Sequence, residues 1–153
     1  MKTLLMAIDH QTDLSASMTQ LTLDEATARG AAVVILCCVP TEGGGEGEIM
    51  HIECAIDKDT EKVAQPKDLL NSAESVVRQA LVPFQQAGVP ARGILCRGEP
   101  AEVIVEQSLK LSAGMIIMGR RHLSPFNRLF KSSVSARVLE LAHCPVLIDI
   151  NKQ

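Results

Sequence analysis

The sequence predicts an α/β fold, a doubly wound and mostly parallel five-stranded sheet that is sandwiched by helices. Short apolar runs alternate with amphipathic stretches along all 153 residues, which is typical of strands joined by helical crossovers. The runs are apolar on both faces, which favours a parallel sheet that is covered on both sides. Neither a repeat nor a linker divides the chain, so we expect one domain over residues 1–153.

The first part of the chain predicts a strand, a helix and a second strand. Thr3–Ile8 is a continuous apolar run that ends at Asp9. Apolar residues at steps of three and four predict a helix from about Asp13 to Arg29. Ala32–Val39 is rich in β-branched residues, and a proline follows it. Together these elements form the first right-handed crossover.

Residues 40–66 are predicted to be a flexible insertion. Glycines at 43, 44, 45 and 47 stand among acidic residues, and a polar stretch continues to Pro66. A loop of this length in a compact domain is usually functional or disordered. Its mixed charge and its lack of aromatic residues favour a mobile insertion.

The remaining elements continue the alternation. Apolar spacing predicts a helix from Asp68 to about Ala87, and Pro100 suits the first turn of another helix, where its missing N–H costs nothing. The other predicted elements are strands at Gly93–Cys96, Met115–Met118 and Val146–Ile150 and a helix from about Ser133 to Ala142.

A ligand is expected at one edge of this sheet. In doubly wound sheets, ligands bind beyond the carboxyl ends of the strands, at the point where the direction of winding reverses. The residues that follow Ile8, Val39 and Met118 are therefore the candidates for chemistry.

Composition excludes several classes of function. Hydrophobic residues make up 46% of the chain, which rules out intrinsic disorder. Aromatic residues make up 2%, with no Trp or Tyr, which argues against modules that stack bases. The net charge of −3 gives no general attraction to nucleic acid or to anionic membranes. No apolar run approaches the roughly 18 residues of a membrane span, and Asp9 interrupts the start that imitates a signal peptide, so we expect a cytoplasmic protein.

The five cysteines fit a reducing compartment. Their number is odd and no CxxC pair occurs. His51 and Cys54 have half of a metal-ligand spacing, but no second half lies near, so no metal site is expected. Cys37 and Cys38 stand near the end of a predicted strand, which leaves a thiol-based sensor or small enzyme as a minor hypothesis.

Basic residues are concentrated after the fourth predicted strand. From Met115 to Leu139 the chain has no Asp or Glu, yet it holds five of the 15 Lys and Arg residues: Arg120, Arg121, Arg128, Lys131 and Arg137. The window continues into a predicted helix with serines at 132, 133 and 135, and free N–H groups at a helix N-terminus attract phosphate. This favours an anion pocket over the alternative, a solvated basic loop with an ordinary serine cap.

The segments Leu5–Asp9, Gly98–Ile104, Met118–Ser135 and Cys144–Ile148 resemble the universal stress protein family. The similarity runs in order along nearly the whole chain and omits only 40–66. The resemblance implies a three-layer fold like that of the adenine nucleotide alpha hydrolase-like and flavodoxin-like proteins.

Nucleotide-binding members of that family carry G-x2-G-x9-G-[S/T]. This chain matches the spacing but not every letter: Gly119 is the first glycine, His122 replaces the second, Ser132 replaces the third, and Ser133 keeps the hydroxyl. A residue other than glycine at positive φ costs about 1–2 kcal/mol. Both replacements are polar and can donate to phosphate, and on that ground the resemblance implies retained ATP binding, with or without Mg²⁺.

The resemblance also implies where the nucleotide lies. The adenine would sit near Ala7, Ile8, Asp9 and Val39, the ribose near Met118 and Gly119, and the phosphates near Arg121, His122, Ser132, Ser133, Val134 and Ser135. From the residues alone, Asp9 is equally well explained as a turn or N-cap residue, and core packing is the better explanation of Val39 and Met118.

The leading hypothesis is a non-catalytic, ATP-binding stress protein. P-loop, dinucleotide, nucleophile-elbow and HExxH motifs are missing from the sequence, and fast hydrolysis is not expected, since Glu140 lies about two turns into its helix. The resemblance implies a homodimer through the last strand, which is apolar and would need a covering partner if it lies at an edge. The alternative is a nucleotide-free dimeric interaction protein of the same family, which His122 and Ser132 motivate.

Overall fold

The computed structural model describes residues 2–9, 15–39, 47–55, 69–119 and 134–150. Within these ranges the strands are β1 (Thr3–Ile8), β2 (Ala32–Val39), β3 (Gly47–Ile52), β4 (Ala91–Arg97), β5 (Met115–Gly119) and β6 (Val146–Asp149). The helices are α1 (Ala16–Arg29), α2 (Leu69–Gln86), α3 (Pro100–Lys110) and α4 (Val134–Leu141).

The six strands form one sheet in the order β3-β4-β2-β1-β5-β6. All neighbours pair in parallel except β3, which runs antiparallel to β4. After β1 the chain winds through β2 to β4 on one side, and it then returns to place β5 and β6 on the other side. The predicted doubly wound α/β class is confirmed.

Helices cover both faces of the sheet. Side chains of α1 and α2 share a core with Leu4 and Met6 of β1, while α3 and α4 share a second core with Leu5 and Ala7. Leu4, Leu5 and Met6 are fully buried, and each contributes about 2 kcal/mol relative to an exposed side chain. The central strand is thus apolar on both faces because it packs against two helix layers.

Local capping determines where the helices begin and end. Ser15 caps α1, since its hydroxyl accepts a hydrogen bond from Met18 N, and Gly30 ends the helix in the left-handed conformation. The described helix therefore begins at Ala16, three residues later than predicted. Glu99 caps α3, and Pro100 occupies its first turn as expected.

The predicted number of strands was too low by one. The additional strand, β3, lies inside the segment that was predicted to be a mobile insertion. A register shift between Glu48 and Met50 places Ile49 as an extra residue, and Ile49 and Met50 both pack on the α1–α2 core. Because of this bulge, apolar and polar residues do not alternate regularly along β3. Such alternation is the pattern by which a half-buried strand is recognised in a sequence. The expectation of flexibility for 40–46 and 56–66 falls outside the described residues.

Contacts with α2 hold the end of β3 in place. Ile52 is 1% exposed. Beyond it, Arg78 donates to the carbonyl of Cys54 at 2.9 Å. Gln85 donates to the carbonyl of Glu53 at 3.1 Å and accepts from Ala55 N at 3.0 Å. The strand is therefore an integral edge of the sheet.

The last strand lies at the opposite edge of the sheet. All four residues of β6 are half-buried, and Ile150 beyond it is 68% exposed. Association of two copies through this edge stays a prediction. Among the described helices, none combines the length and the apolar character that a membrane span requires.

Candidate functional site

The candidate site lies where the direction of winding reverses. Strands β2, β1 and β5 are neighbours, so their carboxyl ends stand side by side. Ala7 pairs in register with Leu36 on one side and with Met118 on the other. The connections 10–14, 40–46 and 120–133 all leave from this edge, and they fall outside the described residues. A crevice between diverging crossovers is the usual ligand position in such a sheet.

Four of the predicted site residues belong to the two cores. Val39 is 3% exposed and packs with the α1–α2 core, as does the half-buried Ile8. Ala7 and Met118 are buried in the α3–α4 core. Their side chains therefore pack in the cores, which for Val39 and Met118 agrees with the alternative interpretation. A ligand at this edge would contact the backbone groups at the carboxyl ends of these strands.

Asp9 and Gly119 extend beyond the paired part of β1 and β5. Asp9 is half-buried immediately after β1. A Cβ atom built at Gly119 would lie 3.7 Å from the sulfur of Met18, an ordinary van der Waals distance. The φ angle of Gly119 is also outside the left-handed region. Within the described residues, neither packing nor backbone conformation explains why a glycine stands here.

The predicted phosphate-binding residues are only partly described. Arg121, His122, Ser132 and Ser133 lie outside the described residues. Val134 and Ser135 form the first turn of α4, where Val134 packs against the α3–α4 core and Ser135 is 7% exposed. No acidic residue occurs in that turn.

One residue of the basic window faces another helix. The Arg137 guanidinium lies 3.3 Å from a carboxylate oxygen of Glu102 and 3.8 Å from one of Glu99. Both acids belong to the start of α3, so Arg137 ties α4 to α3. Its charge was counted toward an anion pocket in the sequence, but in the fold it is largely satisfied by these partners.

The whole-chain comparison decides the family. The model of the universal stress protein family matches residues 1–149. The chain belongs to the universal stress protein family. The resemblance drawn from the sequence segments is thereby confirmed.

Relatives and solved structures agree with this family. A universal stress protein of Thermus aquaticus is 37% identical over 83 residues, which cover 54% of this chain and 58% of the relative. The match thus spans little more than half of that relative's length. The structure of a universal stress protein from Archaeoglobus fulgidus in complex with dAMP has a TM-score of 0.69 at 19% identity, covering 97% of both chains. A family protein from Arabidopsis thaliana with AMP bound gives 0.60 at 16% identity, covering 96% of this chain and 90% of that one. These two likenesses show the fold.

Three further residues of this family member meet at the same edge, and sequence reasoning missed them as a group. The hydroxyls of Ser15 and Ser17 donate to one carboxylate oxygen of Asp149, the former at 3.3 Å. Asp149 pairs in register with Gly119. We call Ser15, Ser17 and Asp149 the Ser–Asp cluster. A serine before a helix is a recognisable N-cap signal, whereas nothing in the sequence links it to an acid 134 residues away.

The cysteines near the strand ends lie in apolar surroundings. Burial raises the pKa of the Cys37 thiol to about 12 and that of Cys38 to about 11. The Cys38 thiol donates to the carbonyl of Gly98 at 3.2 Å. Reactive cysteines have lowered pKa values, so the direction of these shifts gives no support to a thiol-based sensor at Cys37 or Cys38.

A metal site has no support in the described ranges. His51 pairs with Glu48, whose carboxylate oxygen lies 3.0 Å from its ring nitrogen. Within the part of the chain that the structure describes, no group of three or more His, Cys, Asp or Glu side chains could hold a metal ion. The half motif of His51 and Cys54 is therefore not completed by described residues.

Proposed function

We propose that this universal stress protein binds an adenine nucleotide in the crevice above the ends of β2, β1 and β5. The observation that carries the proposal is the reversal of winding at β1, which brings Val39, Asp9 and Gly119 to three neighbouring strand ends. Backbone groups at such ends can read a base, and a carboxylate such as that of Asp9 can accept hydrogen bonds from ribose hydroxyls. The family proteins in complex with dAMP and with AMP support this class of ligand.

The glycine at 119 supports the same position. Since neither a contact nor a backbone angle within the described residues demands glycine there, close approach of a ligand to the backbone is the physical reason that we assign to it. The proposal places the ribose near Met118 and Gly119.

The phosphates are assigned to the segment that runs from Gly119 into α4. By the family pattern, Arg121, His122, Ser132 and Ser133 meet them together with the first turn of α4. A helix N-terminus without acidic residues, preceded by two serines, suits an anion. His122 and Ser132 act as donors in place of two glycines. ATP, with or without Mg²⁺, is within the proposed ligand class.

We assign a regulatory rather than a catalytic role to the bound nucleotide. Hydrolysis needs a base that positions water. Of the carboxylates at this edge, Asp149 is held by two serine hydroxyls and Asp9 is assigned to the ribose, while Glu140 lies near the far end of α4. Nucleotide occupancy would instead adjust the shape of the protein or its partners.

Equilibrium dialysis tests the proposal. Labelled AMP and ATP are dialysed against the purified chain at physiological magnesium, and we expect saturable binding of one nucleotide per chain without turnover above the rate in buffer. Absence of saturable binding would overturn the nucleotide function. Turnover well above the buffer rate would overturn the non-catalytic role alone.

A double variant tests His122 and Ser132, the two residues that stand where the family pattern has glycine. If the side chains at 122 and 132 donate to phosphate, H122G/S132G weakens binding of ATP more than binding of adenosine. If they obstruct the crevice, the same variant strengthens ATP binding. Adenosine is the matched ligand because it lacks the phosphates.

A second candidate function is that of a dimeric interaction protein without nucleotide. The observation in its favour is the sheet edge at β6, where the half-buried Val146, Leu147 and Ile148 are followed by the exposed Ile150 and pair on one side only among the described strands. Sedimentation equilibrium of the chain without nucleotide tests it. A stable dimer together with failed nucleotide binding favours this candidate, and a monomer at all concentrations removes it.

A further inference from the structure

A methionine lies on each face of the sheet beside the proposed nucleotide crevice. Met18, in the first turn of α1, is 6% exposed and packs in the α1–α2 core. Met118, in β5, is 5% exposed and packs in the α3–α4 core. The two side chains therefore approach the same strand ends from opposite faces, and the position of a bound nucleoside decides which of them it contacts.

Gly119 faces the same side of the sheet as Met18. Successive residues of a strand point to opposite faces, and Ile117 lies in the α1–α2 core, while Ile116 and Met118 lie in the α3–α4 core. Position 119 therefore faces α1. The contacts agree with this alternation, because a Cβ atom built at Gly119 would lie 3.7 Å from the sulfur of Met18.

Hydrogen bonds hold the backbone of Met18 beside this strand end. Its N–H donates to the side-chain oxygen of Ser15 at 3.2 Å, and its carbonyl accepts from the buried hydroxyl of Thr22 at 2.8 Å. Contacts of α1 with β1, β5 and β6 fix the helix on this face of the sheet. The side chain, in contrast, is unbranched and has three rotatable bonds, so it can adapt to a ligand.

A ligand that uses the missing side chain of Gly119 must approach from the α1 side of β5. The space where that side chain would begin is bordered by the Met18 sulfur, so such a ligand comes into van der Waals contact with the thioether. Ile8 and Val39, at the ends of β1 and β2, also belong to the α1–α2 core. The three strand ends and Met18 thus border one face of the crevice.

We propose that Met18 is a ligand-contact residue of the nucleotide crevice and that the nucleoside packs against its thioether on the α1 side of the sheet. The inference rests on the proposed nucleotide function and deepens it, because it assigns the face on which the nucleoside binds. Polarizable sulfur makes favourable contacts with aromatic rings, and a purine offers such a ring. The side chain of Met118, on the opposite face, then serves packing.

Methionine methyl signals in nuclear magnetic resonance test this contact directly. The chain is isotope-labelled in these methyl groups and titrated with AMP, and the Met18 signal is assigned by its loss in Met18→Leu. We expect the largest saturable shift at Met18, because the ring current of adenine acts at short range, with smaller shifts at Met6 and Met118. We also expect nuclear Overhauser effects between the Met18 methyl group and protons of the nucleoside, which a purely structural role would not produce.

Inorganic phosphate is the matched ligand for this titration. It can occupy the proposed phosphate segment, but it carries no nucleoside. The Met18 signal should therefore stay in place when phosphate replaces AMP.

Met18→Leu also tests the energy of the contact. The replacement nearly conserves side-chain volume, so the fold should be retained, but it removes the sulfur. We expect AMP binding to weaken by roughly two- to tenfold in calorimetric titration. Met6→Leu is the matched control, since it makes the same change at a fully buried methionine of the same core, and it should leave the affinity for AMP unchanged.

Three results would overturn the inference. A larger shift at Met118 than at Met18 would place the nucleoside on the α3–α4 face. An equal response of Met18 to phosphate and to AMP would show an indirect effect, and an unchanged affinity of Met18→Leu for AMP would show that the thioether contributes nothing. If the unmodified chain binds no AMP, the proposed function fails as well. If it binds AMP without contact to the Met18 methyl group, only this inference fails.

Discussion

The two halves of the carboxyl edge are built differently. On the β2–β4 side, the strand ends are joined beyond the paired strands: Gly98 N donates to the carbonyl of Val39 at 3.4 Å, and the Cys38 thiol donates to the carbonyl of Gly98 at 3.2 Å. On the β1–β5 side, register pairing ends at Ala7 and Met118, and the chain diverges to α1 and α4 on opposite faces. We call the β2–β4 side of the sheet the closed half and the β1–β5 side the open half.

The closed half and the open half differ in why glycine occurs in them. A Cβ atom at Gly93 in β4 would lie 2.3 Å from a methyl carbon of Val77 in α2, and Gly98 has a φ of 144°. These two glycines of the closed half are required by packing and by backbone conformation. Gly119 of the open half has neither requirement within the described residues. The same residue type thus has structural roles in one half and, as we propose, a ligand-binding role in the other.

The largest expected difference is in thiol reactivity. Cys37 and Cys38 belong to the closed half, where burial raises their pKa values to about 12 and about 11, while Cys54 is exposed. Thiolates are the reacting species, so at pH 7.5 we expect Cys54 to react with a disulfide reagent at least about a hundredfold faster. Rates are followed by absorbance of the released thiolate.

Cys54→Ser provides the control for this reaction. The fast phase should disappear in that variant while the folded protein is intact. A fast phase that persists and maps to Cys38 would mean that the closed half opens readily.

The second prediction concerns packing in the closed half. Gly93→Ala should lower the free energy of unfolding by about 2 kcal/mol, because the added methyl group collides with a β-branched side chain on α2. Urea denaturation followed by circular dichroism measures the change. Gly114→Ala is the matched control, since the nearest atom to its added Cβ is 3.8 Å away. Equal stability of both variants would contradict the packing role that we assign to Gly93.

The third prediction concerns the open half. Gly119→Ala should change the free energy of unfolding by no more than about 0.5 kcal/mol, because the added methyl group meets only the Met18 sulfur at 3.7 Å. It should weaken AMP binding by about tenfold, because it fills space that we assign to ribose. Calorimetric titration measures the affinity. Strong destabilisation with unchanged affinity for AMP would show that Gly119 is required by packing, as Gly93 is.

The smallest expected effect lies at the outer border of the closed half. Hydrogen bonds from Gln107 and then from His51 lower the pKa of Glu48, and Lys110 adds to this. A lowered pKa contributes stability that is present above the ordinary value of 4.5 and is lost as pH falls through the folded-state pKa. Glu48→Gln should therefore cost about 0.5 kcal/mol at pH 7, and the difference from the unmodified chain should vanish in acid.

Urea denaturation at pH 7 and at pH 3 measures that difference. Glu106→Gln is a suitable control, since this acid is more exposed and its only ion pair among the described residues is with Lys110. A Glu48→Gln effect that grows in acid would show that the direction of the shift is wrong.

Local patterns were sufficient to predict most of the fold. Continuous apolar runs such as Ala32–Val39 indicate buried parallel strands directly. The exception was β3, where the bulge at Ile49 puts two consecutive apolar residues on one core and leaves Glu48 and His51 bonded to each other. Only pairing with β4 reveals such a strand, and pairing partners are not visible in a local pattern.

The candidate site was predictable in position but not in detail. The rule for doubly wound sheets identified the ends of β1, β2 and β5, and the structure brings these ends together. The side chains of Val39 and Met118 turned out to be core residues because strand alternation directs them into the two helix layers. The hydrogen bonds from Ser15 and Ser17 to Asp149 could not be foreseen, because the fold, rather than the sequence, brings these residues together.

The most direct measurement of the central claim is a map of amide chemical shifts during titration with AMP. Binding in the open half predicts saturable changes concentrated at Asp9, Val39, Met118 and Gly119, with little change at Gly93 and in β3. Changes that cluster elsewhere on the molecule, or no saturable change at millimolar AMP, would contradict the account.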